Sequence, residues 1–318
     1  MFFDDPDLRG IQDRLQADDS EVRRIAILDL TDFAGDEHVP LIIAALRDPA
    51  AAVRAEAAKA LEAFENDAAV LGLVELLSDA DGGVREAAAQ SLGELKNPAS
   101  APLLLSSVAH PQAFVRIAVL RAVRELRVAE SFRPALAALE DVEALVRREA
   151  VAVLGYLKQA EALPALTLLA GQDPDPVVRR TAIGALGFTT GETVLPALLA
   201  ALDDSAWQVR EEAAGVLGKL KLEQAGDKLI AALQDSYWQV RVRAARGLGR
   251  LRHADAVPEL GYALTHAISN LRKEAALALG EIADVAALPA LERARNDPDP
   301  EVRKSARLAL DHIRAAQT

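Results

Sequence analysis

The segment WQVREEAAGVLGKL (207–220) sets Val209, Ala213, Val216, Leu217 and Leu220 at i, i+4, i+7, i+8 and i+11. That spacing makes one apolar stripe at the helical period, with polar residues opposite. It predicts an amphipathic helix over 207–220, preceded by a shorter apolar helix near TVLPALLAAL (193–202). The arrangement recurs along the chain. A Val-Arg pair, once Leu-Arg, begins at 22, 53, 84, 115, 146, 178, 209, 240, 271 and 302. Successive pairs stand 31 residues apart, except for one step of 32 between Val146 and Val178. Ten helical hairpins of that length fill 1–318 as a single repeat domain and leave no stretch for a separate catalytic domain. The extra residue falls after Pro164, near GQDPDP (171–176), and is read as a local adjustment of the bend, not a domain boundary.

The turns carry their own chemistry. In DPDPVVR (173–179) and DPDPEVR (297–303), Asp175 and Asp299 are predicted N-caps, followed by Pro176 and Pro300 at the first helical position. Aspartate accepts from orphan N–H groups there, and proline has none to lose. Asp19 and Asp81 occupy the same slot. A glycine follows the stripe leucine at i+8 in six repeats, at 93, 155, 187, 218, 249 and 280, which lets a neighbouring element come close. Arginine follows the valine or leucine in all ten repeats, and aspartate stands five residues before that position in seven. Each arginine is expected to pair with a turn aspartate of its own or the next repeat. Ala17, His110 and His266 hold the aspartate slot in the other three, with Asp18 as a shifted acid beside Ala17.

First-helix prolines (40, 102, 164, 196, 258, 289), then Asp, then Val-Arg five and six residues later, resemble the HEAT-repeat pattern. The short form with DPDPEVR and GALG is similar to the HEAT-like repeats of phycobilisome lyases. The resemblance covers about residues 5–314. It implies an all-α fold, a right-handed α-solenoid with first helices on the convex side and second helices lining the concave side. HEAT-like enzymes that bind di-iron do so through His-Glu pairs. None of the five histidines here precedes a glutamate, so no metal site is expected.

Composition narrows the function classes. Apolar residues make up 51% of the chain, mostly Ala and Leu, and aromatics only 4%. The formal charge is −12, which argues against nucleic acid as a ligand. There is no cysteine, so disulfides and thiolate chemistry are excluded. MFFDDPDLRG has no apolar run of a secretory signal, and no stretch reads as a membrane span; the cytoplasm is the expected location. No Ser-His-Asp arrangement, phosphate loop or zinc signature is present, and no cofactor is expected.

What remains is the inner face. Counted at 100° per residue from each valine, the positions two and one before it, and two and six after it, point away from the core stripe. The third position after it lies on the flank. Trp207 and Trp238, the chain's two tryptophans, both stand two before, where other repeats have Ala, Gly, Ser or Pro. On adjacent helices they are expected to be near neighbours, with Arg243 or Arg246 able to stack on Trp238. The same positions give Phe114, Ile117, Arg121, Arg148, Arg180, Glu211, Val242, Arg243 and Arg246 as partner-binding candidates. Over ten repeats these five slots hold nine basic and eight acidic residues, a near balance inside an acidic chain. An apolar, arginine-bearing trough suits a protein segment with apolar anchors and some acidic residues. The sequence therefore predicts a monomeric, non-catalytic scaffold that binds a protein or peptide in its concave groove, most strongly in repeats 4–8. The alternative that the resemblance implies is an assembly or maturation factor, or a bilin-lyase-like protein that attaches a cofactor.

Overall fold

The computed structural model describes residues 6–32, 38–189 and 192–317, and all regular structure among them is helical. Among the described residues twenty α-helices form ten hairpins, divided between two compact units, Met1–Leu157 and Lys158–Thr318. The 32-residue step spans the division.

The first unit contains α1 (Pro6–Leu15), α2 (Ser20–Asp32), α3 (Val39–Ala45), α4 (Ala51–Ala60), α5 (Asp67–Leu76), α6 (Gly82–Gly93), α7 (Ala101–Leu105), α8 (Ala113–Leu126), α9 (Phe132–Ala138) and α10 (Ala144–Leu157). The second contains α11 (Leu163–Gln172), α12 (Pro176–Leu186), α13 (Leu195–Ala201), α14 (Trp207–Leu220), α15 (Gly226–Ala232), α16 (Trp238–Leu251), α17 (Val257–Ala263), α18 (Ser269–Ile282), α19 (Leu288–Ala294) and α20 (Pro300–Ala315). In each unit the even-numbered helices pack one on the next as a layer, and each odd-numbered helix packs on its own hairpin partner.

The predicted stripe is the core. The valine or leucine of the recurring pair is sealed from Val53 through Val302 and half-exposed only at Val22. Burying such a side chain contributes about 1.5–3 kcal/mol. Prolines sit in the first turn of the odd-numbered helices α3, α7, α11, α13, α17 and α19, where a missing N–H costs no helical bond. Asp81, Asp175 and Asp299 cap α6, α12 and α20 by accepting from the second and third N–H groups. Asp19 accepts from the N–H of Glu21 in the same way.

Within each unit, three of the recurring arginines tie their hairpin to the next. Arg23, Arg54, Arg179, Arg210 and Arg272 each donate through Nε and Nη2 to both oxygens of the aspartate 25 residues on, at 2.6–2.9 Å. Arg116 holds Asp141 by a hydrogen bond from Nη2 at 2.8 Å and an ion-pair contact of Nε at 2.7 Å. Nη1 of these arginines reaches back to two carbonyls of its own turn, as Arg210 does to Asp204 and Ser205. One oxygen of each aspartate also accepts the N–H two residues further on, as Asp235 does from Tyr237. The expectation of "own or next" resolves into both at once: backbone of the own repeat, carboxylate of the next. Beside Ala17 the shifted acid Asp18 serves Arg23 through its carbonyl, as Ala17 does. His110 and His266 imitate the turn by accepting an N–H through Nδ1.

The glycine expectation holds at three of the second unit's four positions. A Cβ on Gly218 would stand 2.5 Å from the Cα of Gly247, one on Gly249 2.8 Å from that of Ala278, and one on Gly280 2.9 Å from that of Ala309. So α14, α16, α18 and α20 approach backbone to backbone. Gly93 in the first unit differs, with nothing within 4 Å of its added Cβ. There the glycine serves no close contact.

Candidate functional site

Aromatic side chains gather at the N-terminal ends of α14 and α16. Trp207 opens α14 and is half-buried; Trp238 opens α16 and is 39% exposed. The ring that faces Trp207 is Tyr237, not Trp238: their centroids are 5.3 Å apart and their planes 14° from parallel. Tyr237 is itself 44% exposed, and the Arg210 guanidinium lies 5.7 Å from its centroid. An offset stack of this kind is favourable and holds both rings in place. Tyr237 falls in the turn slot just before the helix, outside the positions counted as inner face. The sequence signal was present in DSAWQVR against DSYWQVR, where the second copy puts tyrosine for alanine.

The candidate arginines are engaged by acids of the same layer. Arg243 pairs with Glu211 at 3.2 Å, and Arg246 holds Glu274 through Nε and Nη2 at 3.1 and 2.7 Å. Neither arrangement is the expected stack on Trp238. Arg180 reaches Glu212 at 3.5 Å. In the first unit Arg121 and Arg148 both reach Glu149, at 3.1 and 2.5 Å, and Arg124 joins them at 3.3 Å. Glu149 and Glu274 are buried, 3% and 5% exposed. They occupy the flank position, which counting from the valine placed near the surface. A guanidinium six residues after one valine covers the carboxylate 28 residues on in both cases.

Val242 departs from the expectation of exposure: it is 8% exposed and belongs to the core of the even-numbered layer. The close approach of α16 to its neighbours covers a position that an isolated helix would leave open. Phe114 and Ile117 on α8 are half-buried, and Arg85 lies 5.7 Å over the Phe114 ring. Leu145 and Val177, one before their valines, are half-exposed at 50% each.

Between α12, α14 and α16 the glycines at 184 and 215 leave a groove of about 230 Å³ walled by Glu211, Glu212, Lys219, Arg243 and Arg250. It is polar and open. Among the described residues no three His, Asp or Glu side chains gather as metal ligands, and no helix is long and apolar enough to cross a membrane.

The turn carboxylates are held below their ordinary range. For Asp48, Asp79 and Asp297 the hydrogen bonds from Arg23, Arg54 and Arg272 are the main cause, opposed by burial. For Asp141, Asp204 and Asp235 burial pulls upward most strongly, and the arginine and backbone hydrogen bonds together outweigh it. His266 is pushed down by burial and by Arg241 and Arg272.

The sequence profile of HEAT repeats matches residues 8–81, 53–124, 70–142, 132–218 and 226–311, and that of the PBS lyase HEAT-like repeat matches 209–235. No curated protein sequence matches the chain. Among solved structures, an engineered protein is similar over 97% of this chain and 99% of its own, at 21% identity and a TM-score of 0.52. YibA of Escherichia coli is similar over 81% of this chain and 95% of its own, at 20% identity and a TM-score of 0.64. A structure described as Kap95p binding to RanGDP matches 96% of this chain and 50% of its own, at 16% identity and a TM-score of 0.69. At these identities the likeness is one of fold.

Proposed function

Because the chain belongs to the HEAT-repeat family, we propose that it is a non-catalytic scaffold that takes a protein segment along its second-helix layer, the hollow side of the stack. The observation that carries this reading is the Trp207–Tyr237 stack, with the exposed Trp238 next to Tyr237 in the chain. Tyr237 and Trp238 are both more than a third exposed on a chain with only two tryptophans and three tyrosines. Exposed tryptophan and tyrosine are characteristic of interface hot spots, where truncation costs about 2 kcal/mol or more. The tight approach of α14, α16, α18 and α20 supports placing that layer on the inner side of the second unit's curve. The solved likeness named for RanGDP binding supports the fold as a carrier of protein partners. In this reading the protein works as a monomer in the cytoplasm, and its partner is a protein, not nucleic acid.

The test is capture of bound protein from native lysate by the wild type and by a Trp207→Ala, Trp238→Ala double variant. The expected result is at least a ten-fold loss of the recovered partner, with the urea midpoint of the variant close to that of the wild type. Equal recovery by a folded double variant overturns the aromatic site.

A further inference from the structure

The first unit holds a cluster of a different kind. Arg121 and Arg124 on α8 and Arg148 on α10 converge on one buried carboxylate, Glu149. In the second unit the corresponding buried carboxylate, Glu274, receives one arginine with Lys273 only at 4.0 Å. A single carboxylate cannot use the donors of three guanidiniums, each of which carries five N–H groups. Arg124 shares a further acid, Glu125, at 2.9 Å. Arg127 lies 5.1 Å over the ring of Tyr156 and adds a fourth cation. Four guanidiniums gather where Glu149 and Glu125 are the direct acid partners, so donors are in excess at the α8–α10 contact itself, beside a groove that Glu86, Glu94 and Lys96 also line. Its cations are within reach of solvent, because the Arg121 side chain is 50% exposed. Apolar surface lies alongside, with Leu145 50% and Tyr156 45% exposed.

We propose that this α8–α10 face receives an extended peptide segment in which a glutamate or aspartate, flanked by apolar residues, docks on Arg121 and Arg148. The inference rests on the scaffold reading and deepens it by naming the partner's chemistry. Guanidinium–carboxylate pairing supplies the complementarity, and Leu145 and Tyr156 supply the apolar contact. Glu149 is the built-in competitor: it fixes the arginines while the site is empty and shares them with the incoming carboxylate. A polyanion is disfavoured, because Glu86, Glu94 and Glu125 line the same groove of about 500 Å³ as Arg121, Arg124 and Lys96, which leaves room for one added carboxylate and not for a run of them.

The experiment uses the full chain and an array of dodecapeptides in which Leu and Val flank a central Glu, Gln or Lys. The wild type is expected to retain the Glu peptides at least ten-fold more tightly than their Gln counterparts at low salt. Arg121→Gln is expected to remove most of that preference. Glu149→Gln is expected to strengthen Glu-peptide binding several-fold, an outcome that a purely structural role for the carboxylate would not produce. Equal retention of Gln and Glu peptides, an unchanged or weaker Glu149→Gln protein, or full displacement by a single-stranded DNA oligonucleotide overturns the proposal. The Trp207→Ala, Trp238→Ala protein should bind the Glu peptides as the wild type does. Loss of partner capture with intact peptide binding, or the reverse, therefore separates failure of one site from failure of the other.

Discussion

The two units stack the same hairpin with different residues at one position, nine after each valine. The second unit has glycine there in four of five repeats, at 187, 218, 249 and 280; the first has Thr31, Glu62, Gly93, Arg124 and Gly155. In the second unit three of these glycines lie against the backbone of the next helix. In the first, Gly93 meets nothing, and at Arg124 the position carries a side chain that joins the cluster on Glu149. A small residue therefore permits close helix approach but does not enforce it. Where the position carries a long polar side chain, the layer gains chemistry in place of proximity.

That contrast breaks most visibly under Gly218→Ala. Its added methyl would stand 2.5 Å from a backbone atom that cannot yield cheaply, so stability should fall by about 2–3 kcal/mol. Gly93→Ala, the same change in the first unit, should raise stability by about 0.5–1 kcal/mol through helix propensity. Urea unfolding of the two variants measures both, and equal losses would remove the distinction between the units.

A second comparison lies between complete and incomplete turns. Arg210→Met deletes two carbonyl bonds and a two-pronged carboxylate pair, and should cost about 2–3 kcal/mol. Arg85→Met should cost about 1 kcal/mol, since Arg85 reaches its own carbonyls while His110 stands where the next aspartate would be. His266→Asp should gain about 1 kcal/mol. The neutral ring accepts the Ile268 N–H through Nδ1, which makes Nε2 a donor, and Arg241 faces that nitrogen at 3.0 Å with a donor of its own. A carboxylate satisfies both partners, and thermal melting of the variant reads the difference.

Acid should act on the same joints. The folded-state pKa values of the turn aspartates lie below their unfolded values, so their contribution is fully present above about pH 4. It is lost as pH falls through the lowered values. The urea midpoint should hold from neutral pH to about 5 and drop below 4. A midpoint that is flat down to pH 3 would show that these pairs contribute little. The smallest effect belongs to the helix ends. Ala283 follows α18 at φ 62°, a left-handed conformation that costs a non-glycine residue about 1 kcal/mol, and Ala283→Gly should recover part of it.

Most of the architecture was legible because its signals are local. Period, caps, first-turn prolines and the Val-Arg register each fix a short stretch of backbone, and α14 begins and ends at the predicted residues. The site was legible only in part, because it depends on distances between helices. Counting around an isolated helix gave both tryptophans as exposed; Trp238 is 39% exposed and Trp207 is half-buried. It could not foresee that Tyr237, one turn slot away, would supply the stacking ring. The same counting left Val242 and Glu149 too near the surface, since the neighbouring helix that covers them lies about thirty residues away in sequence. The 28-residue Arg-to-Glu spacing was the available clue.

The pairing of six turn aspartates with an earlier guanidinium of the same unit gives assembly a direction. A ribosome releases the arginine 25 residues before the carboxylate that it will hold. Within each unit, a hairpin linked in this way finds its pairing partner 25 residues upstream and never has to search among distant ones.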